Sequence, residues 1–282
     1  MAMLGSSSPR DDRTSEVAAT PAAPLAVAEK GLVGGLLRST DWLVAVLPRP
    51  LRELLRRPLT SPLREQEDDE VSATILKVTV TVSAVAFVLL AITDLVDVLA
   101  LHRRIRAFDA DLDGGLWTWA SVATEAAGAA LLLLLAMTAV RWRAFAVCSL
   151  ILAYFSLDDA VLIHEGIAGA LDFFPHSSRI IWPLLYLPLL VGLTIQLWRI
   201  AEAQHGPQVR ALVRGGLVAL VVAVLLEGGS PLLFALGQGE GSIGYELEVA
   251  LEEGLEMTGW IWITGGIAIT LVQRPHRSCR GR

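Results

Sequence analysis

Residues 180–198 read IIWPLLYLPLLVGLTIQLW, a stretch without a single charged side chain. Residues 126–140, AAGAALLLLLAMTAV, have the same character. Because an α-helix rises about 1.5 Å per residue, about 20 such residues cross the roughly 30 Å hydrocarbon core of a bilayer. A helix in the core of a soluble protein has no need of that length. The two stretches therefore predict an integral membrane protein built from α-helices.

The composition of the whole chain supports this prediction. Apolar residues make up 54% of the 282 positions and charged residues 18%, against about 45–50% and about 25% in soluble domains. Apolar blocks alternate with short polar joints, as in helix bundles. We predict an all-α, polytopic integral membrane helix bundle of about six transmembrane helices, at 76–100, 116–140, 144–165, 180–199, 211–236 and 245–272.

Four regions are predicted along the chain: a disordered tail at 1–30, a basic amphipathic cytoplasmic segment at 31–70, the six-span domain at 71–274 and a basic cytoplasmic tail at 275–282. The first region is too poor in large apolar side chains to offset the entropy of ordering. In the second, leucines recur at helical spacing among arginines, which fits helices lying on the anionic inner leaflet. A loosely ordered basic linker fits as well, because prolines interrupt the pattern.

The distribution of arginine predicts the orientation. Arginines are dense before the first block, between the second and third blocks and after the last one. Since basic residues collect on the cytoplasmic side, both termini are expected in the cytoplasm. The protein is accordingly predicted to be a multi-pass protein of a bacterial plasma membrane. Arg103, Arg104 and Arg106 lie on the opposite side and run against the rule.

Acidic residues are concentrated in the predicted outer halves of the blocks. An ionised carboxylate in hydrocarbon is costly, so such groups face the bundle interior, pair with cations or bind a ligand. Carboxylates and imidazole from facing helices are typical ligands of metal centres in bundles. We therefore predict a site for a divalent metal, with iron, manganese or zinc as candidates. Its predicted ligands are Asp158, Asp159, His164, Glu165, Glu252, Glu253 and Glu256, and Glu125 and Glu227 are predicted to support them or to handle protons.

Helical spacing qualifies this hypothesis. Asp158 and Glu165 are seven residues apart and would share one face of a continuous helix, whereas His164 would lie about 120° from that face. Any shared site must therefore draw on several helices. A single histidine also has structural roles more often than metal-binding ones. Residues 227–231, EGGSP, predict a broken or kinked helix near the outer face.

Three motifs resemble a bacterial family of uncharacterised multipass membrane proteins. FSLDDAVLIHE at 155–165 resembles the family's LSLDE-x4-HE signature, and EEGLEMTG at 252–259 resembles its EE-x-LEM-x-G ending. Residues 108–121 resemble its FD-x-D-x-E-x-x-x-P-T-W-F-S stretch, and Glu227 stands where a glutamate follows its glycine-rich fifth span. The resemblance covers about 75–272. It implies functional positions at Asp159, His164, Glu165, Glu252, Glu253 and Glu256, and it implies no particular activity.

The chain departs from the family pattern at two acids. Asp159 replaces the glutamate of LDE, and Asp113 falls near a family glutamate, so both side chains are shorter. The proline of the family's FD-x-D-x-E-x-x-x-P-T-W-F-S stretch is missing between Gly115 and Thr118. A shorter acid changes the reach at a metal or proton site. The resemblance thus adds Asp113 to the supporting positions of the predicted site.

Three classes of function fit the sequence. The first is a metal-dependent membrane enzyme that acts on an apolar or lipid-like small molecule, in which a bound cation activates water or oxygen. The second is a non-catalytic protein that binds a cation for sensing or assembly. The third is a cation- or proton-coupled transporter, which intramembrane acids would serve as charge relays. The lipid bilayer is the one predicted partner, and no nucleic-acid partner is expected.

Overall fold

The computed structural model describes residues 69–273, apart from positions 111, 113, 140–141, 171–177, 204–205, 228 and 240. The predictions for the two terminal tails and for residues 31–68 lie outside this part. The described residues form helices and contain no β-strand. The helices are α1 (Asp69–Leu99), α2 (Leu116–Thr138), α3 (Trp142–Val161), α4 (Ile163–Ala170), α5 (Ser178–Ala203), α6 (Pro207–Glu227), α7 (Ser230–Ala235) and α8 (Ile243–Val272).

Five of these helices, α1, α2, α3, α6 and α8, are long and apolar enough to cross a membrane. The predicted all-α class is confirmed, and these five helices are those of a multi-pass membrane protein. On α1, most of the exposed side chains are apolar, and they include Val78, Val82, Val85, Leu89 and Ile92. In water this surface would be a large exposed apolar patch, whereas in a bilayer it contacts lipid chains. Helix α5 has 26 residues but is not one of the five.

Helix α8 is central to the bundle, because it packs against α6, α1 and α2. Helix α2 pairs with α3, and α5 lies at the periphery against α3 and α6. Fully buried apolar side chains fill the space between the helices, among them Leu132, Leu152, Leu197 and Ile263. This core lies next to the acidic end of the bundle, which we define as the end where α1, α3 and α6 finish and α2 and α8 begin.

Two glycines let α6 and α8 approach closely. A Cβ atom added at Gly216 of α6 would lie 2.6 Å from the carbonyl oxygen of Gly259 of α8. Lipid chains are as apolar as the helices, so membrane helices associate largely through close contact at small residues. The contact between α6 and α8 fixes the separation of two helices that both carry acidic residues toward the acidic end.

This contact gives a stability prediction. We expect Gly216→Ala to lower the free energy of unfolding by about 1–3 kcal/mol, because the methyl group forces the helices apart. Thermal denaturation in detergent micelles measures the change. In the control Gly192→Ala on α5, the added methyl group meets no atom within 4 Å, and alanine favours helix over glycine. Equal losses in both variants would contradict the close approach.

The third predicted block is shorter than expected. Helix α3 ends at Val161, Leu162 has a left-handed backbone with φ of 57°, and α4 begins at Ile163. A residue in this conformation turns the chain out of the helical path. The prediction that Asp158 and Glu165 share one face of a continuous helix is therefore wrong. The predicted break at 227–231 is present, because α6 ends at Glu227 and the short helix α7 follows.

Acids at the end of α1 hold the connection between α1 and α2. Asp94 accepts a hydrogen bond from the Ala110 amide at 2.8 Å, and Asp97 accepts one from the Ile105 amide at 2.9 Å. Both aspartates are fully buried. They supply acceptors to loop amides that would otherwise lack a helical partner, which is a structural role.

The same connection is tied to α8 by one arginine. Arg103 donates to Glu246 at 2.7 Å and forms an ion pair with Asp109 at 3.2 Å. Glu246 lies in the first turn of α8, is almost fully buried and also accepts a hydrogen bond from the Gly241 amide at 2.7 Å. Arg103, one of the arginines that run against the orientation rule, is therefore engaged in an ion pair within the fold.

Candidate metal site at the acidic end of the bundle

A cavity of about 240 Å³ lies at the acidic end, between α2, α3, α5, α6 and α8. Its lining combines carboxylic acids with apolar and aromatic side chains. The acids are Glu125 of α2, Asp158 and Asp159 of α3, Glu227 of α6, and Glu252, Glu253 and Glu256 of α8. Among the lining residues that the structure describes, none is a lysine or an arginine.

Three of these acids approach one another from three different helices. One carboxylate oxygen each from Glu125, Asp159 and Glu256 lies within 4.8 Å of the other two. Oxygens bound to a single divalent ion at about 2.1–2.4 Å are at most about 4.2–4.8 Å apart. The three carboxylates, which we call the triad, are therefore spaced closely enough to share one ion.

Glu125 has the most unusual environment of the triad. Its side chain is 1% exposed, and its Oε2 atom has no hydrogen-bond partner among the described residues. The hydroxyl of Ser121, one helical turn earlier on α2, is likewise buried without a partner among them and lines the same cavity. A buried polar group without a partner costs about 1–3 kcal/mol, and more if it is charged. Two such groups facing one cavity are what an absent polar ligand or cation would account for.

Aromatic side chains hold two of the neighbouring acids. The Tyr186 hydroxyl donates to Asp158 Oδ1 at 3.0 Å and lies 2.5 Å from the Tyr154 hydroxyl. These three side chains form a hydrogen-bonded chain in which Tyr186 of α5 bridges Tyr154 and Asp158 of α3. Trp260 Nε1 donates to Glu256 Oε1 at 3.3 Å. The first contact restrains Asp158 next to the triad, and the second restrains Glu256 within it.

Most of the predicted site residues meet in this cavity. Asp158, Asp159, Glu252, Glu253 and Glu256, all predicted as ligands, line it together with Glu125 and Glu227. Glu125, predicted in a supporting position, has its carboxylate oxygen in the triad itself. The side chains of His164 and Glu165 and the whole of Asp113 are not among the described parts of the chain.

Sequence reasoning missed the uncharged polar groups of the site. Tyr154 and Tyr186 interrupt apolar stretches outside the three motifs, whereas Ser121 is the last residue of the stretch at 108–121 that resembles the family pattern. The sequence signals that could have identified these residues are their polar atoms within predicted spans and, for Ser121, its place in that stretch. Trp260, in the last predicted span, was not among the predicted site residues either, and it lies against Glu256 in the cavity.

The fold and the cavity define a class: a helical multi-pass membrane protein with a cluster of carboxylic acids enclosed between its helices. The chain belongs to the family described as Domain of unknown function (DUF8692), whose model matches residues 75–269. No curated protein and no solved structure matches the chain. The matched range contains all of the cavity-lining residues.

Proposed function

We propose that this protein binds a divalent metal ion through Glu125, Asp159 and Glu256 and uses it as a metal-dependent membrane enzyme. The observation that carries the proposal is the Glu125 carboxylate, which is buried, has an oxygen without a partner among the described residues, and lies beside two further carboxylates. A divalent ion would offset the repulsion of the three negative charges and satisfy that oxygen. Glu252, Glu253 and Glu227 line the cavity around the ion.

The donor set bears on the choice of metal. The three atoms are carboxylate oxygens, which suit manganese and iron, whereas zinc more often takes nitrogen or sulfur donors. We therefore propose manganese or iron ahead of zinc. Manganese would also be the most convenient probe, because its bound and free forms differ in their paramagnetic resonance spectra.

The enzymatic part of the proposal rests on the surroundings of the triad. A bound divalent ion polarises a coordinated water or carbonyl group. The chain from Tyr154 through Tyr186 to Asp158 would hold or pass a proton beside that ion. A transporter would need a polar path from the cavity to the opposite end of the bundle. Buried apolar side chains such as Leu132, Leu152 and Ile263 occupy the bundle there, so transport is less well supported.

The bundle would lie in the bacterial plasma membrane with six spans and with both termini in the cytoplasm. Helix α5 would be the one span in addition to the five already identified, because its 26 residues correspond to about 39 Å. The cavity would then open in the outer half of the membrane. Cysteine accessibility at exposed ends of α2 and α8, tested from each side in intact spheroplasts, distinguishes this topology from its reverse.

Elemental analysis by plasma mass spectrometry tests the metal proposal directly. We expect near-stoichiometric manganese or iron in protein purified in mild detergent without chelators. Metal-free protein that also fails to bind added Mn²⁺, Fe²⁺ or Zn²⁺ while remaining folded would refute the metal site and leave a partner-binding or proton-handling role for the acids. Bound metal without turnover of any lipid-like substrate would favour the non-catalytic, sensing or assembly alternative.

The two tyrosines give a matched pair of variants. Tyr186→Phe removes the hydrogen bond to Asp158 and also the one to Tyr154. We expect it to lower the free energy of unfolding by about 2–4.5 kcal/mol, the sum of the usual ranges for a bond to a charged group and for a neutral bond. Tyr154→Phe removes only the phenol-to-phenol bond and should cost about 0.5–1.5 kcal/mol. Chemical denaturation in micelles measures both. Equal losses in the free energy of unfolding would argue against a stabilising hydrogen bond between Tyr186 and Asp158.

A further inference from the structure

The cavity reaches the surface on the α6 side. Of the α6 residues that line it, Leu220 and Ala223 are buried, whereas Val224 is 50% exposed and Glu227 is exposed. A side chain that both lines a cavity and is half exposed lies at its mouth. The mouth is therefore formed around Val224 and Glu227, in the last turn of a helix of spanning length.

The mouth faces the gap between α6 and α5. On one flank, α6 is packed closely against α8, because a Cβ atom added at Gly259 would lie 2.8 Å from the side chain of Leu220, which lines the cavity. On the other flank, the cavity is lined by Tyr186 and Leu190 of α5. At the opposite end, α5 is fastened to α6 by Arg214, whose guanidinium lies 5.0 Å from the centre of the Trp198 ring and pairs with Glu202.

The surface around this gap is apolar. Val221 and Leu225 of α6 are 53% and 69% exposed, and Leu187 of α5 is 51% exposed. In a membrane these side chains contact lipid chains rather than water. A molecule reaching the mouth past them must therefore have an apolar part that tolerates the bilayer.

We propose that the cavity opens sideways into the bilayer and takes up the uncharged, oxygen-bearing head of an amphiphile, while its hydrocarbon tail remains among the lipids. The volume of the cavity supports uptake of the head alone. It is about 240 Å³, which is smaller than the roughly 300–1,000 Å³ of pockets that enclose a whole drug-sized ligand. The inference rests on the proposed function for the role of the metal, which a hydroxyl or carbonyl oxygen would coordinate.

The charge of the lining selects the kind of head. A phosphate or carboxylate head would be placed among seven lining carboxylic acids, and like charges in a site of low dielectric repel strongly. A cationic head would compete with the metal for the same oxygens. An alcohol or carbonyl group meets neither obstacle, and Phe155 and Trp260 supply apolar contact beside it.

Photolabelling in lipid nanodiscs tests this inference. Three probes would carry the same diazirine-bearing long-chain tail and differ only in the head: an alcohol, a phosphate or a trimethylammonium group. We expect the alcohol to label cavity residues, mapped by peptide mass spectrometry, at least about tenfold more than the phosphate. We expect Val224→Trp to reduce that labelling at least about fivefold, because the indole fills the mouth. The matched control is Val222→Trp, which adds the same side chain to an exposed position of α6 that does not line the cavity and lies about 160° around the helix from Val224. It should leave labelling unchanged.

Metal content measured on the same samples separates this inference from the proposed function. Labelling that falls in Val224→Trp but not in Val222→Trp supports the lateral opening, whether or not metal is found. Equal labelling of the cavity in both variants overturns the lateral opening even if metal is bound. Stronger labelling by the phosphate or the trimethylammonium probe overturns the assignment of an uncharged head. If Val224→Trp fails to fold, Val224→Ala replaces it and should raise labelling, and unchanged labelling there counts against the mouth.

Discussion

Glu125→Gln is expected to reduce the affinity for Mn²⁺ by at least about 100-fold. Loss of an outer hydrogen-bond partner of a metal ligand already costs roughly 10–100-fold, and Glu125 supplies one of the three converging oxygens itself. Glutamine keeps the size of the side chain but removes the negative charge. Titration followed by paramagnetic resonance measures the free Mn²⁺ and hence the dissociation constant.

The same substitution should act on stability in the opposite direction when metal is removed. The metal-free wild-type protein holds a carboxylate in a buried position beside Asp159 and Glu256, and a neutral amide there avoids charge repulsion. We expect metal-free Glu125→Gln to denature at a higher temperature than the metal-free wild type. Added Mn²⁺ should stabilise only the wild type, by about 2.7 kcal/mol at 100 times the dissociation constant.

Glu70→Gln is the control for both measurements, since Glu70 is exposed near the opposite end of α1. It should bind Mn²⁺ and denature like the wild type. Unchanged Mn²⁺ affinity in Glu125→Gln would exclude Glu125 as a ligand. A loss of affinity in both variants would instead indicate nonspecific binding to surface acids.

Arg103→Met is expected to cause the largest loss of stability away from the cavity. Arg103 bridges Asp109 and Glu246, and the Glu246 side chain is 1% exposed. Removing one partner of a buried ion pair costs about 3–5 kcal/mol, because the other charge stays buried. The Arg103 side chain is itself 31% exposed, so solvent screening should bring the loss toward the lower end of that range. Chemical denaturation in micelles measures it.

Arg104→Met provides the comparison, because Arg104 is the adjacent residue and is exposed. A surface substitution of this kind changes the free energy of unfolding by no more than about 0.5 kcal/mol. Similar losses in the two variants would show that overall charge in the connection matters rather than the contact with Glu246. Metal content should be unaffected in both, since neither arginine lines the cavity.

Much of the fold follows from local sequence. Apolar stretches long enough for a bilayer predict helices, and α1, α2, α3, α6 and α8 occur where the pattern predicts them. The break after Glu227 is also local, because glycines and a proline follow it directly. The end of α3 could not be predicted in this way. Residues 155–165 contain neither glycine nor proline, yet Leu162 adopts a left-handed backbone.

For the site, the sequence by itself determined which acids lie toward one end of the bundle, because in helices of known direction position along the chain fixes depth. Only the tertiary structure decided which of those acids stabilise the fold and which converge on the cavity. Asp94 and Asp97 bind loop amides and Glu246 pairs with Arg103, whereas Glu125, Asp159 and Glu256 converge on a cavity. The physical reason is that depth is a property of one helix, whereas convergence depends on the rotation and separation of several. Those are set by contacts such as Gly216 with Gly259 between residues far apart in the chain.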